Sequence, residues 1–143
     1  MIADLRLNDV VSLLGQKTKE EIIEVLRYAD AFVLASDHET FGVVYIEAMA
    51  MGLPVIACNN GGPIYFVNKS NGMLVPTKNL TALVNAMEKM MRTIGNYKKN
   101  IIAKSCYDNF SSHAVALRIE KVFYEVIRIK DYMVAIEDGN KIS

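Results

Sequence analysis

The amino-acid sequence predicts an α/β protein in which helices cover both faces of a parallel β-sheet, followed by a helical C-terminus. Short apolar runs rich in β-branched residues alternate along the chain with longer segments of helical periodicity. Gly, Pro or polar residues end these runs, and hydrophobic residues make up 52% of the chain. Strands separated by helices pair in parallel, because the chain must cross back over the sheet between them.

The first part of the chain reads as strand, helix and strand. Residues 9–15 (DVVSLLG) form a short apolar run that Gly ends, which predicts a buried strand. Thr18 and Glu21 have the spacing of a capping box, so a helix is expected to begin there and to run to about Tyr28. Residues 31–35 (AFVLA) predict a second buried strand.

The middle of the chain continues the alternation. A helix is expected over residues 42–51, where Gly52 and Pro54 end it. Residues 54–58 (PVIAC) predict a third strand, and residues 59–63 (NNGGP) have the composition of a loop.

The C-terminal half predicts one more strand and three helices. The strand covers residues 72–76, and helices follow over about 79–92 and 96–109. Ser111 or Ser112 is expected to cap a last helix that ends near residue 136. Its apolar stripe includes Ala116, Ile119, Val122, Phe123 and Val126. We therefore expect one unit, with an α/β core over about 10–93 and helices over about 96–136.

Composition narrows the class of protein. Lys plus Arg equals Asp plus Glu, which argues against a nucleic-acid-binding module with a basic surplus. Cys58 and Cys106 form no metal-ligand pattern and read as buried thiols, so the cytoplasm is the expected compartment. The N-terminus does not resemble a signal peptide, and no apolar run is long enough to span a bilayer. Membrane contact, if any, would be peripheral.

Glu47 is the one formally charged residue between Thr40 and Cys58, within an apolar run. Burial of a carboxylate costs roughly several kcal/mol or more unless the group is paired or hydrogen-bonded. Glu47 must therefore either point to water or face a cleft in which something hydrogen-bonds to it. On spacing alone, pairing with a Lys or exposure to solvent competes with ligand binding.

The turn before this helix is suited to an anion. Ligands of parallel sheets bind outside the carboxyl ends of the strands, where the turn over residues 39–42 (ETFG) is expected. Gly42 lets a ligand approach the backbone, and the first amides of the helix lack intrahelical partners. A diphosphate there would leave Glu39 and Glu47 to accept hydrogen bonds from hydroxyls on either side of it. A nucleotide sugar has this layout.

Together these residues resemble the group 1 (family 4) retaining glycosyltransferases. Their signature is a pair of Glu residues with seven residues between them, as in Glu39 and Glu47. The resemblance extends from about Val10 to the last helix, and the residues that carry it are Ser36, Glu39-Thr40-Phe41-Gly42, Glu47-Ala48-Met49-Ala50, Gly52-Leu53-Pro54-Val55, Gly61-Gly62, Asn71-Gly72 and Leu74-Val75-Pro76. The family implies a GT-B architecture, in which two Rossmann-like domains flank a cleft, and this chain would be part of the C-terminal, donor-binding domain.

The resemblance also implies roles for individual residues. Glu39 would contact hydroxyls of the donor sugar as the catalytic-site acid, and Glu47 would hold the ribose. The diphosphate would meet the amides of Phe41, Gly42 and Val43, and Gln16 and Lys17 would lie near the base. Transfer would proceed with retention from a nucleotide sugar, with UDP favoured, and would need neither a bound metal nor a cofactor.

The chain also departs from the family pattern. The Arg and Lys that grip the diphosphate in the family have no counterpart before Val10, and the acceptor-binding domain is missing. After Gly61 and Gly62 the family often has a Glu, whereas residues 64–66 here are Ile-Tyr-Phe. The chain alone is therefore expected to be inactive without a partner that supplies the acceptor domain. A non-catalytic nucleotide-sugar-binding module of the same ancestry stays open, and a dinucleotide-binding domain is disfavoured because no GxGxxG turn occurs.

Overall fold

The computed structural model describes residues 2–137, and the side chains of residues 2–128. This range contains three strands and five α-helices, in agreement with the predicted α/β class. In chain order these are α1 (Lys19–Tyr28), β1 (Phe32–Leu34), α2 (Val43–Ala50), β2 (Val55–Cys58), β3 (Gly72–Val75), α3 (Leu80–Thr93), α4 (Lys99–Phe110) and α5 (Ser112–Glu137). Short 3-10 turns cover Gly62–Tyr65 and Ile94–Asn96.

The sheet is parallel and has the order β1-β2-β3. Phe32 pairs with Val55, and Val55 pairs in turn with Gly72, so all three strands begin at the same edge. Strand β2 lies in the centre, and all four of its residues are buried. A fully buried central strand is typical of a parallel sheet that helices cover on both faces.

The two faces of β2 build two separate core clusters. Val55 and Ala57 contact residues of α2 and α4 on one face, among them Tyr45 and Ile102. The alternate residues, Ile56 and Cys58, belong to a second cluster that contains Val75, Ala86 and Met90. This division follows from the two-residue period of a strand, which sends successive side chains to opposite faces. Cys58 and Cys106 are both free and buried, as expected, and burial raises the pKa of each thiol.

The predicted strand at residues 9–15 does not form. The segment is exposed and irregular, with Val10 77% and Leu13 84% exposed. The amides of Val10 and Val11 bond locally to the Leu7 carbonyl instead of to a neighbouring strand. A strand needs a partner for its backbone groups, and within residues 2–137 no strand pairs with the free edge of β1. The apolar composition of residues 9–15 does not by itself show whether the segment pairs with another strand.

The helix boundaries agree closely with the predictions. Thr18 and Glu21 form both hydrogen bonds of the expected capping box at α1. Asn79 caps α3 by accepting a hydrogen bond from the Ala82 amide. Helix α4 begins three residues later than expected, because the 3-10 turn and Tyr97 separate it from α3.

Helix α5 has the predicted apolar stripe, but the stripe is exposed. Four of its five members are more than half exposed, namely Ile119, Val122, Phe123 and Val126. The helix contacts the rest of the fold through α4. Within the described residues, none of the helices is both long and apolar enough to cross a membrane.

We expect Leu53→Ala to lower the free energy of unfolding by about 2–5 kcal/mol, the usual cost of removing a buried leucine side chain. Leu53 is fully buried in the cluster that joins β2 to α2. The measurement is urea unfolding followed by circular dichroism. Leu117→Ala is the matched control, because Leu117 is 51% exposed and should change stability little. Equal effects of the two substitutions would contradict the core assignment.

Candidate functional site

The loops that follow the three strands lie along one edge of the sheet, at the carboxyl ends of the strands. We call this edge the rim. Strands β1, β2 and β3 end at Leu34, Cys58 and Val75, and the loops that follow them leave at this edge because the strands are parallel. The turn over residues 39–42 follows β1, and Gly61 and Gly62 follow β2. The structure therefore brings these two loops together, as the sequence predicted.

Gly42 begins α2 in a conformation that favours glycine. Its φ of 90° is left-handed, and a Cβ there would lie 2.7 Å from Cδ2 of Tyr45. No side chain caps the helix, and the amides of Val43 and Val44 have no hydrogen-bond partner among the described residues. These donors lie at the positive end of the helix dipole, so the start of α2 is suited to an anionic group.

The Gly61-Gly62 pair packs directly on the backbone of the first loop. A Cβ at Gly61 would collide with the carbonyl oxygen of Glu39, and a Cβ at Gly62 would collide with that of Phe41. Glycine at both positions is thus a condition for the close approach of the two loops. Composition alone predicts an ordinary turn for this pair, and the need for glycine is visible only in the packing.

Asn60 joins the same loops, and sequence reasoning missed it. Its Nδ2 donates to the carbonyl oxygens of Ser36 at 2.9 Å and Asp37 at 2.7 Å. Its Oδ1 is buried and has no hydrogen-bond partner in the part of the chain that the structure describes. The only available signal was its position two residues after a predicted strand. A buried acceptor without a donor is uncommon in a folded protein.

Tyr45 fastens α2 to the end of β1. Its hydroxyl donates to the Leu34 carbonyl oxygen at 2.7 Å, and its ring meets Phe32 edge-on at 5.7 Å between centroids. Burial, with the nearby charges of Glu39 and Cys58, raises the pKa of Tyr45 to about 12. The hydroxyl therefore stays protonated and keeps its hydrogen bond throughout the neutral range.

Glu39 is half-buried on the rim, whereas Glu47 is exposed. Of the two alternatives that the sequence leaves open for Glu47, the structure shows the one in which the side chain is exposed to solvent. Helix α2 buries its opposite side through Tyr45, Ala48 and Met49, which leaves Glu47 on the outer side with Val43 and Val44. A helix buries one face only, and an apolar run cannot show which residues lie on that face. Glu47 forms no ion pair or hydrogen bond with any residue described.

Gln16 and Lys17 are not brought to Glu39 and Glu47. Both are exposed, and Lys17 forms an ion pair with Glu21 at 3.0 Å between Nζ and Oε1. No hydrogen bond or ion pair joins either residue to the rim within residues 2–137. Their assignment near the base stays a prediction, and it rested on a strand at residues 9–15 that would have delivered the loop to the rim.

Lys78 adds a cation to the rim that the sequence analysis did not single out. It follows β3 in a left-handed conformation (φ 54°), and its Nζ lies 4.0 Å from Oδ2 of Asp37. Both groups are largely exposed, so the pair contributes little to stability. Among the described residues, no group of three or more His, Cys, Asp or Glu side chains could hold a metal ion.

The chain is similar in sequence to known proteins. A family profile described as glycosyl transferases group 1 matches residues 1–105. The chain is 33% identical over 119 residues to the D-inositol 3-phosphate glycosyltransferase of Mycobacteroides abscessus, and covers 27% of it. It is 28% identical over 135 residues to the N-acetyl-alpha-D-glucosaminyl L-malate synthase of Bacillus anthracis, and covers 34% of it. The matches take in 82% and 90% of this chain.

Solved structures show the same fold. Sucrose-phosphate synthase from Thermosynechococcus elongatus superposes with a TM-score of 0.75 at 28% identity, over 90% of this chain and 33% of that one. Anabaena HepE in complex with UDP superposes with a TM-score of 0.74 at 23% identity, over 87% and 35%. The chain thus spans about a third or less of the length of these relatives. It belongs to the group 1 glycosyltransferases and has the α/β fold of part of their GT-B architecture.

Proposed function

We propose that this chain binds the nucleotide-sugar donor of a hexosyltransferase that acts with retention. The observation that carries the proposal is the uncapped start of α2, whose free amides lie between Glu39 and Glu47. A diphosphate needs donors and positive potential, and hydroxyl groups on either side of it need acceptors. A UDP-hexose meets both requirements and is the first donor to test.

In this proposal each rim residue has a distinct role. The amides of Phe41, Gly42 and Val43 bind the diphosphate and stabilise its charge as it leaves. Glu39 accepts hydrogen bonds from hydroxyls of the transferred sugar, and Glu47 accepts them from the ribose. The bond from the anomeric carbon to the diphosphate breaks, a bond from that carbon to the acceptor oxygen forms, and the acceptor proton passes to the leaving diphosphate. Neither carboxylate acts as a nucleophile.

Two further rim features support donor binding. Lys78 places a positive charge beside the loop after β1, where it could turn from Asp37 to a phosphate oxygen. The unpaired Oδ1 of Asn60 offers a buried acceptor at the point where the two loops meet. The resemblance implies that Gln16 and Lys17 lie near the base, which would require the loop after Gly15 to reach the rim.

In this proposal the acceptor substrate is bound by another domain. The relatives named for transfer to inositol phosphate or malate are about three to four times longer than the match to this chain. We therefore propose that the chain turns over substrate only together with an acceptor-binding domain, because positioning both substrates supplies much of the rate. The second candidate function is a non-catalytic nucleotide-sugar-binding module, which the exposed, uncovered side of α2 favours. A transfer assay on the chain alone and with a separate partner subunit distinguishes the two.

We expect Glu47→Ala to remove most of the affinity for UDP-glucose in a calorimetric titration. Hydrogen bonds to a charged group contribute roughly 1.5–3 kcal/mol, which is about tenfold or more in Kd. Glu120→Ala is the matched control, because Glu120 is an exposed helical Glu on α5, away from the rim. Equal Kd values for the wild type and Glu47→Ala would rule out the ribose contact. Absence of binding by the wild type to any nucleotide sugar would rule out the donor site.

Asn60→Ala should weaken both the fold of the rim and donor binding. The substitution removes two hydrogen bonds to backbone carbonyls, which should lower the free energy of unfolding by about 1–3 kcal/mol. Urea unfolding measures the stability, and titration with UDP-glucose measures the affinity. Asn85→Ala, at an exposed position of α3, should leave both unchanged. An unaltered Kd for Asn60→Ala would show that Asn60 does not position the donor site.

A further inference from the structure

A second concave site lies at the opposite edge of the sheet from the rim. It is a cavity of about 380 Å³, and Gly72 and Met73 at the start of β3 form part of its wall. The end of α3, at Thr93, and the start of α4, at Lys98 and Ile101, complete it. The amino ends of parallel strands point away from the carboxyl ends, so this cavity is separate from the proposed donor site.

Three lysines from three different segments line this cavity, and no carboxylate does. Lys69 comes from the loop before β3, Lys89 from α3 and Lys98 from the residue before α4. None of the three pairs with an Asp or Glu among the ion pairs of the described residues, although other lysines do. The net charge of the chain is zero, so composition does not explain the cluster. Like charges around one concavity raise the local positive potential.

Among the uncharged polar side chains of the cavity, Tyr97 offers a hydroxyl donor, whereas Ser70 and Thr93 do not, because their hydroxyls donate within the protein. The hydroxyls of Ser70 and Thr93 already donate within the protein, to Asn68 Oδ1 and to the Lys89 carbonyl oxygen. Tyr97 is half-buried, and burial raises the pKa of its hydroxyl, which therefore stays protonated. The Asn96 amide lines the same wall.

The start of α4 contributes Lys98 and Ile101 to this wall. Lys98 occupies the N-cap position without capping the helix through its side chain, and the amides of Lys99 and Asn100 have no partner in the described chain. A cation at the positive end of a helix is unfavourable. An anion in the cavity would offset the repulsion between the Lys98 ammonium group and the positive end of the helix.

We propose that this cavity, which we call the basic cleft, binds a phosphate ester. Its volume is at the lower end of the range for small-molecule sites, which is roughly 300–1,000 Å³. Three ammonium groups with the Tyr97 hydroxyl would hold the phosphate oxygens, and Met73 and Ile101 would contact the carbon part of the ligand. A soluble sugar phosphate and the headgroup of an anionic lipid share this chemistry.

The test compares two triple variants of the full chain. The first replaces Lys69, Lys89 and Lys98 by Gln and removes the charge of the basic cleft. The matched control replaces Lys19, Lys104 and Lys121 by Gln, and removes the same charge from exposed positions elsewhere. Thermal unfolding of both variants checks the fold, and single Lys89→Gln substitution repeats the test if the first triple variant does not fold.

The probes are inorganic phosphate, glucose 6-phosphate and vesicles of equal parts phosphatidylglycerol and phosphatidylcholine. In the wild type, phosphate is expected to shift the amide resonances of Ser70, Thr93 and residues 98–101. The cleft variant should bind at least about tenfold more weakly, since each lysine near an anionic surface contributes about fivefold, and the control variant should bind like the wild type. Binding of glucose 6-phosphate alone indicates a soluble ligand, and vesicle binding that the cleft variant loses indicates a lipid.

Either of two results would overturn the proposal. Equal weakening of both triple variants would mean that the net charge and not the basic cleft attracts the anion. No shift with phosphate or glucose 6-phosphate, together with vesicle binding that is absent or unaltered in the cleft variant, would mean that the cleft holds no phosphate ester. Titration of Glu47→Ala and of the cleft variant with UDP-glucose separates the two sites, because the first substitution should weaken binding at the rim only and the second binding at the basic cleft only.

Discussion

The contact between the loops that follow β1 and β2 is the constraint on which the candidate donor site depends. Strand β2 is buried on both faces, so its position in the sheet is firmly set and its end delivers Asn60, Gly61 and Gly62 to a defined place. The two glycines let this loop lie against the carbonyls of Glu39 and Phe41, and Asn60 joins it to the loop after β1. Because that loop also leads into α2, the free amides at the helix start are oriented by packing rather than by a capping side chain. A site built in this way is rigid before any ligand arrives, which lowers the entropic cost of binding.

Structural features that depend on residues close together in sequence were predictable. The capping box at Thr18 and the glycine at the start of α2 appear in the structure, as do the strands at 55–58 and 72–75. Features that depend on a distant part of the chain were not predictable. Residues 9–15 have the composition of a strand but do not pair with the free edge of β1, and Glu47 lies on a helix face whose exposure depends on what packs beside it. Asn60 could not be distinguished from an ordinary loop residue, because its hydrogen bonds reach 23 and 24 residues along the chain.

Exposed apolar surface marks the parts of the fold that the described chain does not cover. The outer side of α2 exposes Val43 and Val44 beside Glu47, and α5 exposes nearly its whole apolar stripe. Such surface is costly to leave in water at about 25 cal/mol per Å². The relatives are about three to four times longer than the match to this chain, so in those proteins additional chain is available to cover corresponding faces. We therefore expect that chain packed against α2 and α5 would affect both donor binding and the stability of this fold.

Zero net charge conceals a strong separation of charge across the sheet. At the carboxyl edge, the loop after β1 carries Asp37 and Glu39, and Lys78 lies 4.0 Å from Asp37 as the nearby cation. At the amino edge, the basic cleft collects lysines without a carboxylate. The total charge therefore shows that the chain as a whole is not strongly basic. It does not show how charge is distributed between the two edges of the sheet. Potentials near a surface decay over roughly 8–10 Å at physiological salt, so each edge presents its own field to a ligand. Together the two proposals would place recognition of a nucleotide sugar at the rim and recognition of a phosphate ester at the basic cleft, at opposite edges of one sheet.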